Sequence, residues 1–404
     1  MHRSNFVKRT LRISLVLLLA SLTFSSAPGG TARMVALADQ GGYFSDPAQS
    51  LRWYSSLVEY PDLAVFELGD VVNGQHEVLG REGLIGHGAG GHFQLDAAGH
   101  FGTLAVYFQD ELDFGPTDGA FSAIWARKRG TWRLGLGGRF TTYGVSRSGE
   151  MIGDRIDSQY LHSYGLGVGK QVTTRLQVEM AGEILNSQAS QAGALYYLRP
   201  TDEWSSFGLR VRARYEINEQ LSLIPMIDYS RDDRVVLGGE VGAPVGLDAH
   251  VTDLGLGLNL QPDNDHLLIL SAEYRQGREN QDRHPFSEGT TTWRKGGRDY
   301  YQILLRSALE WTATPWLTLR AGARYIRVHD EQSLSDNYQV SGQQLFFHEL
   351  VTTPVSLGLG VRQGRWTADF SYNDTPPWPA DHFGQAAYDA KGKGYSSLTL
   401  SWAW

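Results

Sequence analysis

From about residue 63 to the C-terminus the chain alternates apolar and polar positions in stretches of 9 to 13 residues, each followed by a break. Alternation of period two sends successive side chains to opposite faces of a strand. The clearest case interleaves Phe207, Leu209, Val211, Ala213, Tyr215 and Ile217 with Gly208, Arg210, Arg212, Arg214 and Glu216. Leu176 to Asn186 and Tyr301 to Trp311 follow the same rule, and no stretch sustains a helical period of 3.6.

The breaks alternate in length. Short ones fall at Ala98–His100, Arg129–Thr131, Gln171–Thr174, Asn218–Gln220, Gln261–Asp265, Ala313–Pro315 and Gln363–Gly364. Between them lie long polar breaks such as Val145–Ser158, Asn186–Glu203, Arg231–Ala249, Gly277–Arg298, Asp330–Val351 and Asn373–Gly394. Short turn, long loop, short turn is the arrangement of a transmembrane β-barrel with short periplasmic turns and long external loops. Strands are expected near 63–70, 89–97, 102–110, 120–129, 132–143, 159–170, 175–186, 205–217, 221–230, 250–260, 266–276, 300–312, 316–329, 352–362, 365–373 and 395–404. That makes an all-β, antiparallel barrel of 16 strands, or of 14 if the weakly patterned first two are set aside. Lipid tolerates strands only in a closed sheet, where every backbone polar group is paired.

The alternation then sorts the side chains into an outer and a lumenal set. Trp132, Tyr143, Tyr160, Tyr215, Tyr229, Tyr274, Trp311, Trp316, Tyr325, Trp366 and Tyr372 stand near strand ends, where interfacial girdles form. The lumenal set carries Arg210, Arg212, Arg214, Arg320 and Arg324 with Glu179, Glu183, Asp228 and Glu310. These nine are the candidate site. They suit a charged constriction that orders polar solutes, or a cross-strand ladder of ion pairs that stiffens the wall. Phe346, Phe347, Trp378 and Phe383 are expected in external loops, as possible contacts for a hydrophobic ligand.

Composition narrows the class further. Forty-seven Gly, 11% aromatic residues and no Cys among 404 residues exclude a collagen-like chain, a disordered one and a disulfide framework. The longest apolar run, Ile13 to Phe24, is too short to span a bilayer as a helix. Preceded by Arg3, Lys8, Arg9 and Arg12, it reads as a secretory signal peptide over residues 1–38, with cleavage between 27 and 38. Ala36-Leu37-Ala38 fits the A-x-A rule, and Ala27 and Ala32 lie nearer the apolar run. Removal of residues 1–38 takes away five bases and no acid, moving the net charge from −8 to −13, the wrong sign for nucleic acid.

Three divisions result: the leader, an N-terminal segment 39–62 that does not alternate, and a barrel over 63–404. Within the segment, Ser45-Asp46-Pro47-Ala48-Gln49-Ser50-Leu51 reads as a turn entering a short helix that runs through Leu57, fit to plug the lumen. Val35-Ala36-Leu37-Ala38-Asp39 followed by Asp46-Pro47-Ala48 resembles the N-terminal region of the long-chain fatty-acid transporter family of the outer membrane. The resemblance implies a 14-stranded barrel blocked by an N-terminal hatch, a hydrophobic substrate, and a leader cut earlier so that Ala36 to Ala38 are retained. The alternation of Leu398, Leu400, Trp402 and Trp404 resembles the C-terminal signature of bacterial outer-membrane proteins that the barrel assembly machinery reads.

The expected place is therefore the bacterial outer membrane, with lipid and lipopolysaccharide as neighbours. The expected function is passive passage of small solutes. The alternatives are a plugged transporter of hydrophobic molecules and a non-conducting structural or ligand-binding barrel. No cofactor, metal site or enzyme activity is expected. His162 and Ser163, the one adjacent pair of base and nucleophile, are neighbours on a strand and point to opposite faces. His329 and His348 have no metal-ligand spacing.

Overall fold

The structure, a computed structural model, describes residues 31–38, 42–68, 87–96, 99–110, 119–147, 155–192, 200–237, 244–283, 294–336, 344–352, 355–375 and 393–404. Among the described residues, one helix, α1 (Thr31–Ala36), and two 3-10 turns (Pro47–Leu51 and Tyr54–Glu59) precede the strands. The strands are β1 (Leu63–Leu68), β2 (His87–Gln94), β3 (Thr103–Asp110), β4 (Gly119–Arg129), β5 (Trp132–Arg147), β6 (Arg155–Gln171), β7 (Leu176–Ala192) and β8 (Pro200–Glu216). The second half comprises β9 (Leu221–Leu237), β10 (Pro244–Leu260), β11 (His266–Arg283), β12 (Arg294–Thr314) and β13 (Leu317–Asp336). It ends with β14 in two pieces (Gln344–Thr352 and Val355–Gln363), β15 (Trp366–Thr375) and β16 (Lys393–Ala403).

Every ladder is antiparallel, and β1 pairs both with β2 and with β16, so the sheet closes on itself. Both pieces of β14 pair with β13 in one unbroken register, Ile326 opposite Thr352 and Ala323 opposite Val355, so they are one strand. The count is therefore 16. This settles the choice between 14 and 16, and it departs from the 14 strands implied by the fatty-acid transporter resemblance.

The outer face is apolar. Leu134, Leu136, Leu166, Ile184, Leu254, Leu256, Leu305 and Leu357 are all exposed, which in water would be a liability and in hydrocarbon is the requirement. Rings border this band. Trp366 stacks on Trp402 with centroids 5.7 Å apart, Trp402 meets Trp404 at 5.4 Å, and His266 stacks on Trp311 at 6.2 Å, all beside the short turns. At the other edge Tyr274 stacks on Tyr301 and Tyr301 on His329. His162 meets Phe140 outside, ring centroids 4.8 Å apart and tilted by 47°, while Ser163 is buried inside, so the two do face apart.

The strands of β5 to β13 run well past the alternating stretches. The described residues at both ends of the breaks expected at Val145–Ser158, Asn186–Glu203, Arg231–Ala249, Gly277–Arg298 and Asp330–Val351 belong to strands. A strand of 17 residues such as β9 stands about 40 Å tall when tilted as barrels are, against an apolar band of ~25 Å. Beyond the band both faces meet water, so hydrogen bonding continues while the amphipathic signal stops. Phe346 and Phe347 are corrected accordingly: they occupy consecutive positions of β14, opposite Gln332 and Glu331, and are not in a loop. Trp378 and Phe383 lie outside the described residues.

Candidate functional site: a plug seated in the lumen

A barrel of 16 strands is too wide to be filled by its own side chains. Here residues 31–38 and 42–61 enter it and supply the missing core. Leu37, Tyr43, Phe44, Trp53, Tyr54 and Leu57 are buried and pack with Ala105, Ile124, Ile224 and Ile269 of the wall. The described plug thus includes α1, which precedes residue 39. Asp46 caps the first 3-10 turn by accepting from the Ala48 N–H at 3.0 Å, with Pro47 at its first position, but the single helix expected through Leu57 is instead two 3-10 turns interrupted at Arg52 and Trp53.

The plug is held in two ways. The first is shape. Gly135 and Gly137 on β5 stand in register with Gly167 and Gly165 on β6, and this four-glycine patch receives Tyr54. A Cβ at Gly137 or Gly165 would overlap the Tyr54 ring, and one at Gly167 would stand 2.8 Å from the Ser55 nitrogen. Gly255 and Gly257 on β10 make a second slot, for Tyr43, whose carbonyl accepts from Asn259 Nδ2 at 2.6 Å. These glycines let backbone and ring approach where any side chain would block them.

The second is charge. Arg33 on α1 donates from Nε and Nη2 to the two oxygens of Glu310 on β12, at 2.8 and 2.9 Å, and from Nη1 to Asp46 at 3.3 Å. Glu310 also accepts from Arg320 at 2.6 Å, and Arg320 reaches Asp369 at 2.5 Å. Burial alone would push the Arg33 guanidinium down, but Glu310 and Asp46 together hold it above its ordinary value and charged. Burial pushes the Asp46 carboxyl up to about 7, against the pull of Arg33 and of the Ala48 N–H.

Arg212 on β8 joins the wall to the plug at its centre. It donates to Glu179 on β7 at 2.7 and 3.0 Å, to the Gly42 carbonyl at 3.1 Å and to Gln49 Oε1 at 2.9 Å. The Trp53 ring lies under its guanidinium at 4.2 Å, and Ser55 Oγ donates to Glu179. Nearby, Asp228 accepts from Arg52 of the plug at 2.7 Å and from Arg210 at 3.0 Å, and Arg210 reaches Glu183 at 3.4 Å. Arg214 donates to Ser45 at 3.0 Å, and Arg133 pairs with Glu59. Ser45, Glu59, Glu179, Arg212 and Arg214 border a cavity of about 10 Å³, space for one water.

Eight of the nine lumenal candidates therefore stand around the plug in four separate sets: Arg212 with Glu179, Arg210 with Asp228 and Glu183, Arg214 with Ser45 of the plug, and Arg320 with Glu310. Arg324 lies elsewhere on the wall, level with Arg306 of the neighbouring strand. The alternation located the wall residues. It did not show that their partners in the plug are Arg33, Ser45, Gln49, Arg52 and Ser55, because contacts across more than 100 positions leave no local signal. The in-strand glycines were the nearest hint, since their slots imply an occupant.

No protein-family model and no curated protein matches the chain. Among solved structures it is similar to CdiB from Escherichia coli, with 12% identity and a TM-score of 0.49, over 85% of this chain and 63% of that one. It is also similar to the toluene transporter TbuX of Ralstonia pickettii, with 12% identity and a TM-score of 0.43, over 95% of this chain and 100% of that one. The toluene transporter TodX of Pseudomonas putida gives 12% identity and a TM-score of 0.42, over 94% and 98%. At these values the likenesses carry no argument about activity, and the architecture stands on the strand pairing described above.

Proposed function

We propose that this protein is an outer-membrane transport barrel, closed at rest by residues 31–61, through which small polar solutes pass when the plug shifts. The apolar outer band and the interfacial rings support the membrane placement. The closing strand, with its terminal Trp404, is the segment the assembly machinery would meet, and lipopolysaccharide is the lipid beside the outer girdle. The proposed role is transport and not catalysis.

One observation carries the choice of polar solutes. Toward the long-loop ends of their strands the described lumenal positions include Thr141, Ser163, Ser206, Asp253, Gln302 and Ser397, with Leu304 the large apolar side chain buried among them on β12. A path for a hydrophobic molecule needs an apolar lining. A wall of hydroxyls, amides and paired charges suits hydrated solutes.

The test is flux into proteoliposomes holding either the intact protein or the Gly165→Leu variant, which displaces Tyr54. The reading expects swelling with small neutral sugars to rise strongly in the variant, with no matching rise in uptake of an aromatic hydrocarbon. Hydrocarbon uptake that rises while sugars stay excluded would replace it with the hydrophobic-transporter reading.

A further inference from the structure

The folded barrel discriminates among the places where the leader could be cut. The A-x-A rule favours the bond after Ala38, allows the one after Ala32, and allows bonds after Ala27 or Gly29, where small residues also occupy the last and third-last leader positions. Signal peptidase acts before a barrel folds, so burial of a bond does not protect it. What decides is whether the finished barrel has a place for the residues in question.

It has a fitted place for α1. The helix lies against β13, β14, β15 and β16. Ala32 and Ala36 to Ala38 are fully buried, the Ala32 N–H donates to Thr399 Oγ1 at 3.1 Å, and Ser356 Oγ donates to the Ala36 carbonyl at 3.0 Å. Beneath it the wall is cut away at two glycines: a Cβ on Gly322 would stand 2.8 Å from the Ala36 oxygen, and one on Gly358 would overlap the Ala36 side chain. Arg33 reaches both oxygens of Glu310.

Cutting after Ala38 would remove all of this at once. Asp46 would be buried without its guanidinium, Thr399 and Ser356 would lose their plug partners, and the space over Gly322 and Gly358 would be empty. Cutting after Ala32 would remove the donor to Thr399 and set a new ammonium group against the same buried surface. Each outcome leaves buried polar groups uncompensated.

We infer that the leader is removed on the N-terminal side of Thr31, at the bond after Ala27 or after Gly29, so that α1 belongs to the mature protein as the first element of the plug. This rests on the leader and not on the solute, so its failure and the failure of the transport reading are separable. The test is the intact mass and N-terminal sequence of the wild-type protein extracted from the membrane in which it is made. A start between Pro28 and Thr31 is expected. A start at Arg33 or Asp39, or retention of the whole leader, would overturn the inference. Pulse-labelling adds an assay independent of folding: Ala38→Leu is expected to leave the rate of leader removal unchanged, and Ala27→Leu with Gly29→Leu to accumulate precursor. Accumulation of precursor with Ala38→Leu alone would likewise overturn it.

Discussion

The plug meets the wall differently on its two sides. Against β5 and β6 it is held chiefly by form: Tyr54, 5% exposed, lies in a patch of four glycines, with Arg133 and Glu59 as the ion pair on this side. Against β12 to β15 it is held by charge, through Arg33, Glu310, Arg320 and Asp369. The first contact is tight and indifferent to the medium, because dispersion and exclusion of water do not depend on ions. The second depends on protonation and, where exposed, on salt. A closure built from both can be firm at one seat and adjustable at the other, as the proposed transport function asks of its plug.

The comparison breaks most visibly at the glycine seat. Gly165→Leu overfills the slot and expels the Tyr54 ring, an overpacking cost of ~1–3 kcal/mol. The open fraction in a planar bilayer should rise about ten- to a hundredfold. An unchanged open fraction in a folded variant would remove Tyr54 from the closure.

At the charged seat the effect should be smaller, since Glu310 keeps Arg320 when Arg33 is removed. Arg33→Ala loses a charge-assisted pair worth ~1.5 kcal/mol, and should raise the open fraction about tenfold. The decisive comparison is its addition to Gly165→Leu: the two seats lie far apart on the wall, so their effects should multiply. A double variant no more open than Gly165→Leu alone would mean that one seat governs both.

Salt comes next. Arg33 and Glu310 are only 14% and 16% exposed, so screening reaches them weakly. Raising ionic strength from about 0.1 to about 1 M should shift the open fraction by about threefold at most. A tenfold shift would show that exposed charges, and not these, hold the plug.

The effect of pH has a specific sign. With the plug seated, the Asp46 carboxyl titrates at about 7; released to water it returns to its ordinary 3.8. Between those values the seated state holds a proton that the released state has lost, so acidification through this window favours seating and a rise through 7 weakens it. The open fraction should fall severalfold from pH 8 to pH 5 in the wild type and stay level in Asp46→Asn. An increase on acidification would reverse the assignment.

Much of the architecture was legible in the chain, because a membrane wall imposes a local rule. Each strand must alternate, so Phe207 to Ile217 announces its own two faces, and the short turns announce which end is which. The rule stops where lipid stops, and that is why the outer halves of β5 to β13 were read as loops. The plug was visible as a segment that does not alternate, with Asp46-Pro47 marking its first turn. Its beginning was not, because Thr31 to Ala36 shares the small and apolar residues of a leader end and is told apart only by its fit to Gly322 and Gly358. The charged residues were placed on the correct face, yet their shared role was hidden. Nothing local to Glu310 indicates that its partner is Arg33, 277 positions away.

The central claim is that residues 31–61 close this lumen, and single-channel recording tests it most directly. The refolded mature protein should be almost silent at low voltage, the same barrel lacking residues 31–61 should conduct steadily, and a disulfide between Ser55→Cys and Gly169→Cys should silence the intact form until reduced. That tether is geometrically available, since a Cβ at Gly169 would stand 3.1 Å from Ser55 Oγ, and the chain has no cysteine of its own to interfere. Steady conductance in the intact protein, unaffected by forming the tether, would contradict the account.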